Sequence, residues 1–267
     1  MRNNFLNYFT DRIELFFNMR KTTTPGKKLR LLVGPFSDPR KYETDAEDFI
    51  DKMLKLVKIS NNSRILEVGC GSGRLIFELH SRYPQSHLYG FDIIHSLIEW
   101  ADMCSERLNG KFNFEYLNVY NKLYNPKGNE SGSKIRFNYP DNYFNLIIVQ
   151  SVFTHMKYDD ILNYLNEISR VLSPKGKAVI TFFLINDKSK LAIAKHLSDF
   201  NFRKKMKHEY LNDEKYPEAA IAYDEDIVIE MLDKTRLKSL QDGVRYGKWF
   251  GDNGFVYQDL LLVGKNL

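Results

Sequence analysis

From Thr44 onward, short apolar runs alternate with amphipathic stretches. "TDAEDFIDKMLKLVK" carries Phe49, Ile50, Met53, Leu54 and Val57 at helical intervals, and Thr44 and Glu47 stand at capping-box spacing, so a helix is predicted from Thr44. "RILEV" (64–68) reads as a strand, 73–82 as a helix, and "HLYGFD" (87–92) as a second strand. "SLIEWADMCSERL" (96–108) is a helix with Ser96 as its N-cap, and "KFNFEYL" (111–117) a third strand. The polar "NKLYNPKGNESGSK" reads as a loop, and "YFNLIIVQ" (143–150) as a fourth strand. "DDILNYLNEISRVL" (159–172) sets Ile161, Tyr164, Leu165, Ile168, Val171 and Leu172 on one helix face, and "SPKGK" turns the chain into strand five, "KAVITFFLI" (177–185). Strands and helices alternating at this spacing are βαβ units, so the prediction is an α/β fold built on a parallel sheet covered on both faces.

Both ends of the chain depart from that rhythm. Residues 1–45 read as an N-terminal extension: an amphipathic helix bearing Phe5, Phe9, Ile13, Phe16 and Phe17, then a basic link. Residues 186–222 are basic and irregular, an insertion with one or two helices that should act as a lid, leaving 46–267 as the main domain. "YDEDIVIEMLDKTRL" (223–237) is read as a helix. "SLQDGVRYG" and "VYQDLLLVGK" follow as strands with a short, glycine-bearing connection, too short for a helical crossover, so the last strand should run antiparallel.

Composition changes little in this picture. The chain has 267 residues, 43% hydrophobic and 27% charged, which is ordinary globular composition and enough for a sizeable core. Two cysteines, Cys70 and Cys104, make no disulfide framework, and the expectation is a reducing, cytoplasmic setting. No run of eighteen apolar residues occurs, and no metal-binding spacing is read. The N-terminal stretch, broken by Asp11, Arg12 and Glu14, makes a poor signal peptide. A formal charge of +5 permits anionic partners without amounting to a nucleic-acid footprint.

The chemistry starts with "RILEVGCGSGRLIFELH", where Gly69, Gly71 and Gly73 alternate behind Glu67 at the carboxyl end of the first strand. Open α/β sheets bind ligands at such strand ends. Glycines there adopt backbone angles closed to other residues and bring no Cβ against a ligand. The dinucleotide fingerprint needs a glycine where this chain has Arg74. A carboxylate at Glu67 repels a pyrophosphate and attracts an amine. Asp92 ends the second strand about twenty residues on, where a carboxylate accepts both hydroxyls of a ribose. An amino acid joined to an unphosphorylated nucleoside describes S-adenosyl-L-methionine.

The residues "EVGCGSG", Asp92 at the end of strand two, and "EISRVLSPKGKAVITFF" resemble class I S-adenosylmethionine-dependent methyltransferases. The resemblance runs from about residue 30 to the C-terminus. It narrows toward a subgroup with "VYNKLYNPKG", "YPDNYFNLIIVQSVFTHM" and "AYDED…YGKWFG…YQDLLLVGK" in this order. It implies a Rossmann-like, doubly wound, seven-stranded and mostly parallel sheet with an antiparallel last strand. It further implies that Glu67, Gly69, Gly71 and Gly73 hold the methionine portion, with Cys70 a small filler inside the loop. Asp92 takes the ribose, Ile93 packs on the adenine, and Gln150 lies near the sulfonium. Where the family usually has an acid facing the adenine amine, this chain has Asn118, followed by Val119; an amide oxygen still accepts that bond.

Candidates for catalysis follow strand four. His155 in "SVFTHM" should face the cleft, as a general base or as a packing residue. Tyr223 and Asp224 in "AYDED" are candidates over the cleft, with Asp224 also a good N-cap for the next helix. Tyr246 and Trp249 can form an aromatic wall for a sugar ring or pack in the core. The basic run "NFRKKMKHEY" (201–210) can draw in an anionic substrate or serve as a solvated face. The N-terminal aromatic helix has three destinations: its own sheet, a homodimer contact, or a membrane surface.

The expected function is methyl transfer to a small-molecule or glycan acceptor, foremost O-methylation of a sugar. "VQSVFTH" lacks the Asn-Pro-Pro-aromatic run seen in enzymes that methylate exocyclic amines of bases. The alternatives are a nucleic-acid methyltransferase and a non-catalytic cofactor-binding protein of the same fold.

Overall fold

The computed structural model describes residues 20–240, 243–251 and 253–266, so the predicted N-terminal aromatic helix lies outside the described residues. In chain order the strands are β1 (Arg64–Val68), β2 (His87–Asp92), β3 (Lys111–Tyr116), β4 (Phe144–Val149), β5 (Leu172–Phe182), β6 (Leu184–Ile185), β7 (Lys204–Lys205), β8 (Glu209–Leu211), β9 (Ile221–Asp224), β10 (Leu237–Ser239) and β11 (Asp259–Lys265). Seven of them form one sheet in the order β10-β11-β5-β4-β1-β2-β3, and four form a small second sheet, β6-β9-β8-β7. In the large sheet β11 runs antiparallel to both neighbours, β5 and β10, as expected, although the strand before it is only Leu237–Ser239 and the connection between them spans 240–258 instead of being short.

The chain divides into two compact units. The first comprises residues up to Ser63 together with Cys70–Leu117. It holds a helical turn, α1 (Lys27–Arg30), and three longer helices, α2 (Pro39–Leu54), α3 (Arg74–Arg82) and α4 (His95–Ser105), with β2 and β3 paired in parallel. Helix α2 starts five residues before the capping-box position and runs across residue 45, the expected domain boundary. Asp38 accepts the Arg40 N–H at 2.9 Å and Pro39 sits at the first helical position, a stronger start signal than Thr44. Thr44 lies inside the helix and its hydroxyl donates to the Arg40 carbonyl. Helix α4 likewise starts at His95, with Ile94 at the cap position, so Ser96 is no N-cap. The Ile94 N–H instead donates to the Asp92 carboxylate at 2.9 Å. Phe77, Ala101 and Cys104 form a buried cluster against Trp100, Met103, Leu108, Phe112 and Phe114.

The second unit comprises Arg64–Gly69 and the chain from Asn118 onward. β1, β4 and β5 pair in parallel, their centres fully buried, as continuous apolar runs require of a sheet covered on both faces. Helix α5 (Tyr158–Val171) buries the predicted face of Ile161, Tyr164, Leu165, Ile168 and Val171. β5 begins earlier than read. Phe144 pairs with Leu172 and Leu146 with Lys177, so the "SPKGK" turn is a bulge inside the strand.

The insertion holds one α-helix, within the one or two expected, and adds short strands that the sequence reading did not give it. After α6 (Asp187–Ala194) the chain forms the β7–β8 hairpin and returns as β9, which pairs with β8 and with β6, the tip of the fifth strand. Because β9 takes residues 221–224, the following helix α7 (Glu225–Lys234) starts later than predicted. The insertion has its own core, in which Phe183, Phe202, Tyr210, Trp249 and Phe250 are buried together. Burying each large apolar side chain contributes roughly 1.5–3 kcal/mol, and these residues come from three separated segments. Periodicity within any one of them carries no trace of that cluster.

Candidate functional site

In the first unit the glycine loop meets the end of β2. Gly71 and Gly73 have φ of 54° and 79°, the left-handed region that costs other residues about 1–2 kcal/mol. A Cβ on Gly71 would lie 2.7 Å from Val33, and one on Gly73 2.7 Å from Phe77. Cys70 is buried, its N–H donates to the Phe91 carbonyl at 2.9 Å, and its carbonyl accepts from Gly73. It braces the loop against β2, in keeping with a filler.

Asp92 accepts the Gly71 N–H on Oδ2 at 2.8 Å and the Ile94 N–H on Oδ1 at 2.9 Å. Burial pushes its carboxyl above the usual range, opposed by backbone N–H bonds from Ile94, Gly71 and Ile93. Each carboxylate oxygen has more than one lone pair, so both oxygens can take a further donor, as a vicinal diol requires.

Polar contacts brace this loop and residues 25–37, from Ser72 and Arg30, which sequence reasoning passed over, and from Arg74. Ser72 is fully buried and shares a 2.7 Å hydrogen bond with Tyr42. Arg30 is also fully buried and donates to the carbonyls of Pro25, Phe36 and Ser37, which folds residues 25–37 into a compact strap. Arg74, the cation following the loop, pairs with Asp45 and lies over the Phe36 ring. Nothing in a sequence distinguishes a buried arginine clamp from a solvated basic link.

The other candidates lie in the second unit. Glu67 is buried within β1, paired with Ile148 of β4. Gly69, at φ 68°, would place a Cβ 2.4 Å from the Val152 methyl. Asn118 starts a tight loop, its carbonyl accepting from the Asn129 and Glu130 N–H groups and its amide nitrogen donating to the Asn129 side chain at 2.9 Å. Val119 is buried and bridges to Glu130. Gln150 follows β4, half-buried, and Ser151 after it turns the chain with φ 58°.

That turn leads into a 3-10 segment, Phe153–His155. His155 Nδ1 lies 2.9 Å from the Glu218 carbonyl oxygen. A carbonyl only accepts, so Nδ1 carries the proton and Nε2 is the basic nitrogen. Burial holds the imidazole below its usual range, against hydrogen bonds to the Glu218 and Ala219 carbonyls that raise it. The Tyr124 ring meets the imidazole edge-on at 5.2 Å, and Asn121 donates to the His155 carbonyl. The polar loop after β3 thus supplies two contacts to His155, a tertiary fact with no signal in composition.

Tyr223 and Asp224, read as candidates over the cleft, have their side chains bonded to other groups. Tyr223 is fully buried and its hydroxyl proton goes to the Met156 carbonyl at 2.8 Å, so it braces the His155 segment from inside. Its pKa is raised well above the usual value by burial and by the charges of Glu209, Asp160 and Asp159. Asp224 stands at the N-cap position of α7, yet its side chain makes no cap bond. It accepts from Tyr210 at 3.0 Å and Lys205 at 2.8 Å across the small sheet. Trp249 is fully buried with its indole N–H on Asp259 at 2.8 Å, which makes it core and no acceptor wall; Tyr246 donates to Glu225. In the basic run, Lys204 and Lys205 form ion pairs with Glu214 and Asp224.

The chemistry of the donor set fits one class of ligand. In the first unit the Asp92 carboxylate comes with a loop whose following cation is already paired, which suits a diol and opposes a pyrophosphate. Comparisons with known proteins agree. A family model described as "Methyltransferase domain" matches residues 59–236, about two-thirds of the chain. Among curated proteins, the phosphoethanolamine N-methyltransferase of Plasmodium falciparum (isolate 3D7) is 24% identical over 139 residues, covering 51% of this chain and 45% of that protein. The chain spans less than half the length of the curated relatives it matches. Among solved structures, the PH0226 protein of Pyrococcus horikoshii OT3 superposes with a TM-score of 0.56 at 18% identity, over 85% of this chain and 92% of that one. A S-adenosylmethionine-dependent methyltransferase from Clostridium acetobutylicum superposes with a TM-score of 0.53 at 15% identity, with the same coverage.

Proposed function

The chain belongs to this methyltransferase-domain family, and on that premise we propose that it is an enzyme moving the methyl group of S-adenosylmethionine to a small-molecule or glycan hydroxyl, foremost that of a sugar. The cofactor, when bound, supplies an electrophilic methyl on a sulfonium. Asp92 would hold the ribose diol and Glu67 the ammonium, Ile93 would pack on the adenine, and the Asn118 amide oxygen would accept from its amine. Gln150 would lie near the sulfonium.

The observation that carries the catalytic reading is His155: a neutral imidazole with Nδ1 committed to the Glu218 carbonyl keeps Nε2 available for a proton. His155 removes the acceptor's hydroxyl proton as the oxygen attacks, and its Nδ1–H bond keeps the ring oriented while it becomes imidazolium. Positioning supplies much of the rest of the rate in such an in-line displacement.

A second reading has its own support. Asp159, Asp160 and Glu209 act on Tyr223, and Glu218 acts on Asp160, an acidic surrounding that favours a protonated amine. The same histidine would first deprotonate that amine, and the Plasmodium relative is named for an amine substrate.

Transfer of labelled methyl from S-adenosylmethionine to a panel of sugars, nucleotide-sugars, phosphoethanolamine and RNA separates these readings. Label on a sugar oxygen supports the first and label on an amine the second, while label on RNA sinks both. Absence of cofactor binding at millimolar concentration would replace all three with a non-catalytic protein of the same fold.

A further inference from the structure

The segment Gln150–His155 has an interior anchor that neither the family match nor the sequence reading assigns. Ser151 adopts φ 58° without being glycine, so the turn after β4 is held against its backbone preference. What holds it is a polar chain contributed by β5 and by the residue just before β11. The Ser151 N–H donates to Thr181 Oγ1 of β5 at 2.9 Å, and the Thr181 hydroxyl donates to Gln258 Oε1 at 2.6 Å. Gln258 Nε2 then donates to Ser151 Oγ at 3.0 Å and to Thr154 Oγ1 at 3.4 Å, one residue before His155. Thr181 and Thr154 are 0–1% exposed and Gln258 7%, so solvent does not compete for the Thr181–Gln258 and Gln258–Thr154 bonds, while Ser151 at the surface is tied down from this buried side. Gln258 immediately precedes β11 and lies beyond residue 236, where the family model ends.

We propose that Gln258 is a positioning residue: its amide, acting with Thr181, locks the Ser151 turn and the Thr154 hydroxyl, and so sets where Gln150 and His155 stand. The proposal rests on the reading of His155 as the base for its consequence in turnover, and not for its geometry. A side chain with one acceptor and two donors is what the cluster requires, since Thr181 donates to it while Ser151 and Thr154 accept. A glutamine meets all three demands; an apolar residue of similar size meets none. The antiparallel last strand thereby reaches the candidate base without touching it, and the groups that His155 itself meets are Glu218, Ala219 and Tyr124.

The test is the titration of the His155 imidazole, followed by NMR in the full chain and assigned by its loss in His155→Ala. In Gln258→Met the released turn should admit water, and the titration should rise by about 0.5 unit or more toward the ordinary value. Ser151→Gly keeps the left-handed turn accessible and removes the small CH2OH side chain with its hydroxyl, so it folds even if Gln258→Met does not; a smaller rise is expected there. Titration unchanged to within about 0.1 unit in the folded variants overturns the proposal. If the titration moves while His155→Ala keeps full turnover, the positioning role stands and the base reading falls. If His155→Ala loses turnover while the titration stays fixed, the base reading stands and Gln258 has no such role.

Discussion

Replacing Asp92 by Asn separates a binding role from a structural one. The carboxylate takes the Gly71 and Ile94 N–H groups, one on each oxygen. An asparagine of the same volume can accept on one side only and points N–H at N–H on the other. Losing one charge-assisted bond costs about 1.5–3 kcal/mol. Burial already holds this carboxyl above its usual range, so removing the charge returns part of that cost. The net loss of stability should be small, about 1 kcal/mol. Binding has no such compensation. A carboxylate facing a diol offers two charged acceptors, and the amide offers one neutral acceptor and a misplaced donor. The expected loss is about 2 kcal/mol, some thirtyfold in Kd for S-adenosylhomocysteine. Isothermal calorimetry reads the Kd and urea unfolding reads the stability. A Kd within threefold of the parent would refute the reasoning and remove the ribose from the end of β2.

His155→Ala should lower turnover about a hundredfold with cofactor affinity unchanged; steady-state rates within a few-fold of the parent would retire the base. Gly69→Ala forces a left-handed alanine and a Cβ 2.4 Å from Val152, so urea unfolding should show a loss of about 2–4 kcal/mol, and an unchanged midpoint would mean the turn relaxes freely. Asp259 accepts N–H bonds from Leu184, Gly247 and Trp249, yet burial pushes its carboxyl up to about 6. The folded state therefore binds this proton more tightly than the unfolded chain. The contribution is fully present below about pH 4 and is lost as pH rises through about 6, amounting to about 3 kcal/mol. The stability difference between the parent and Asp259→Asn should decline over that window, and a flat difference would count against it.

Local order was legible wherever one segment carries its own signal. β1 and β2 fall at the residues read for them, and α5 buries the face that its spacing defined, because period and apolar runs are properties of consecutive residues. The glycine loop was legible for the same reason, since alternate glycines behind an acid have few uses other than a left-handed turn under a ligand. Helix starts were less legible. Thr44 and Ser96 both have good local credentials, and each lost to a neighbour, Asp38–Pro39 in one case and the Asp92 carboxylate in the other.

The insertion and the candidate base divide on a different line. "NFRKKMKHEY" has no strand alternation, yet Lys204–Lys205 and Glu209–Leu211 pair because the aromatic cluster around Phe183 and Trp249 gives them a surface to fold on. Tyr223 looked like a cleft residue, and its hydroxyl turned out to be spent on Met156. The linear order of residues determined the α/β rhythm, the loop with its two acids and the antiparallel finish, all of which follow from short-range steric and hydrophobic preference. Which nitrogen of His155 is basic, what Gln258 grips and what Arg30 clamps were decided only by the folded chain. Those bonds join residues 5 to 107 positions apart, and their strength comes from burial that no single segment possesses.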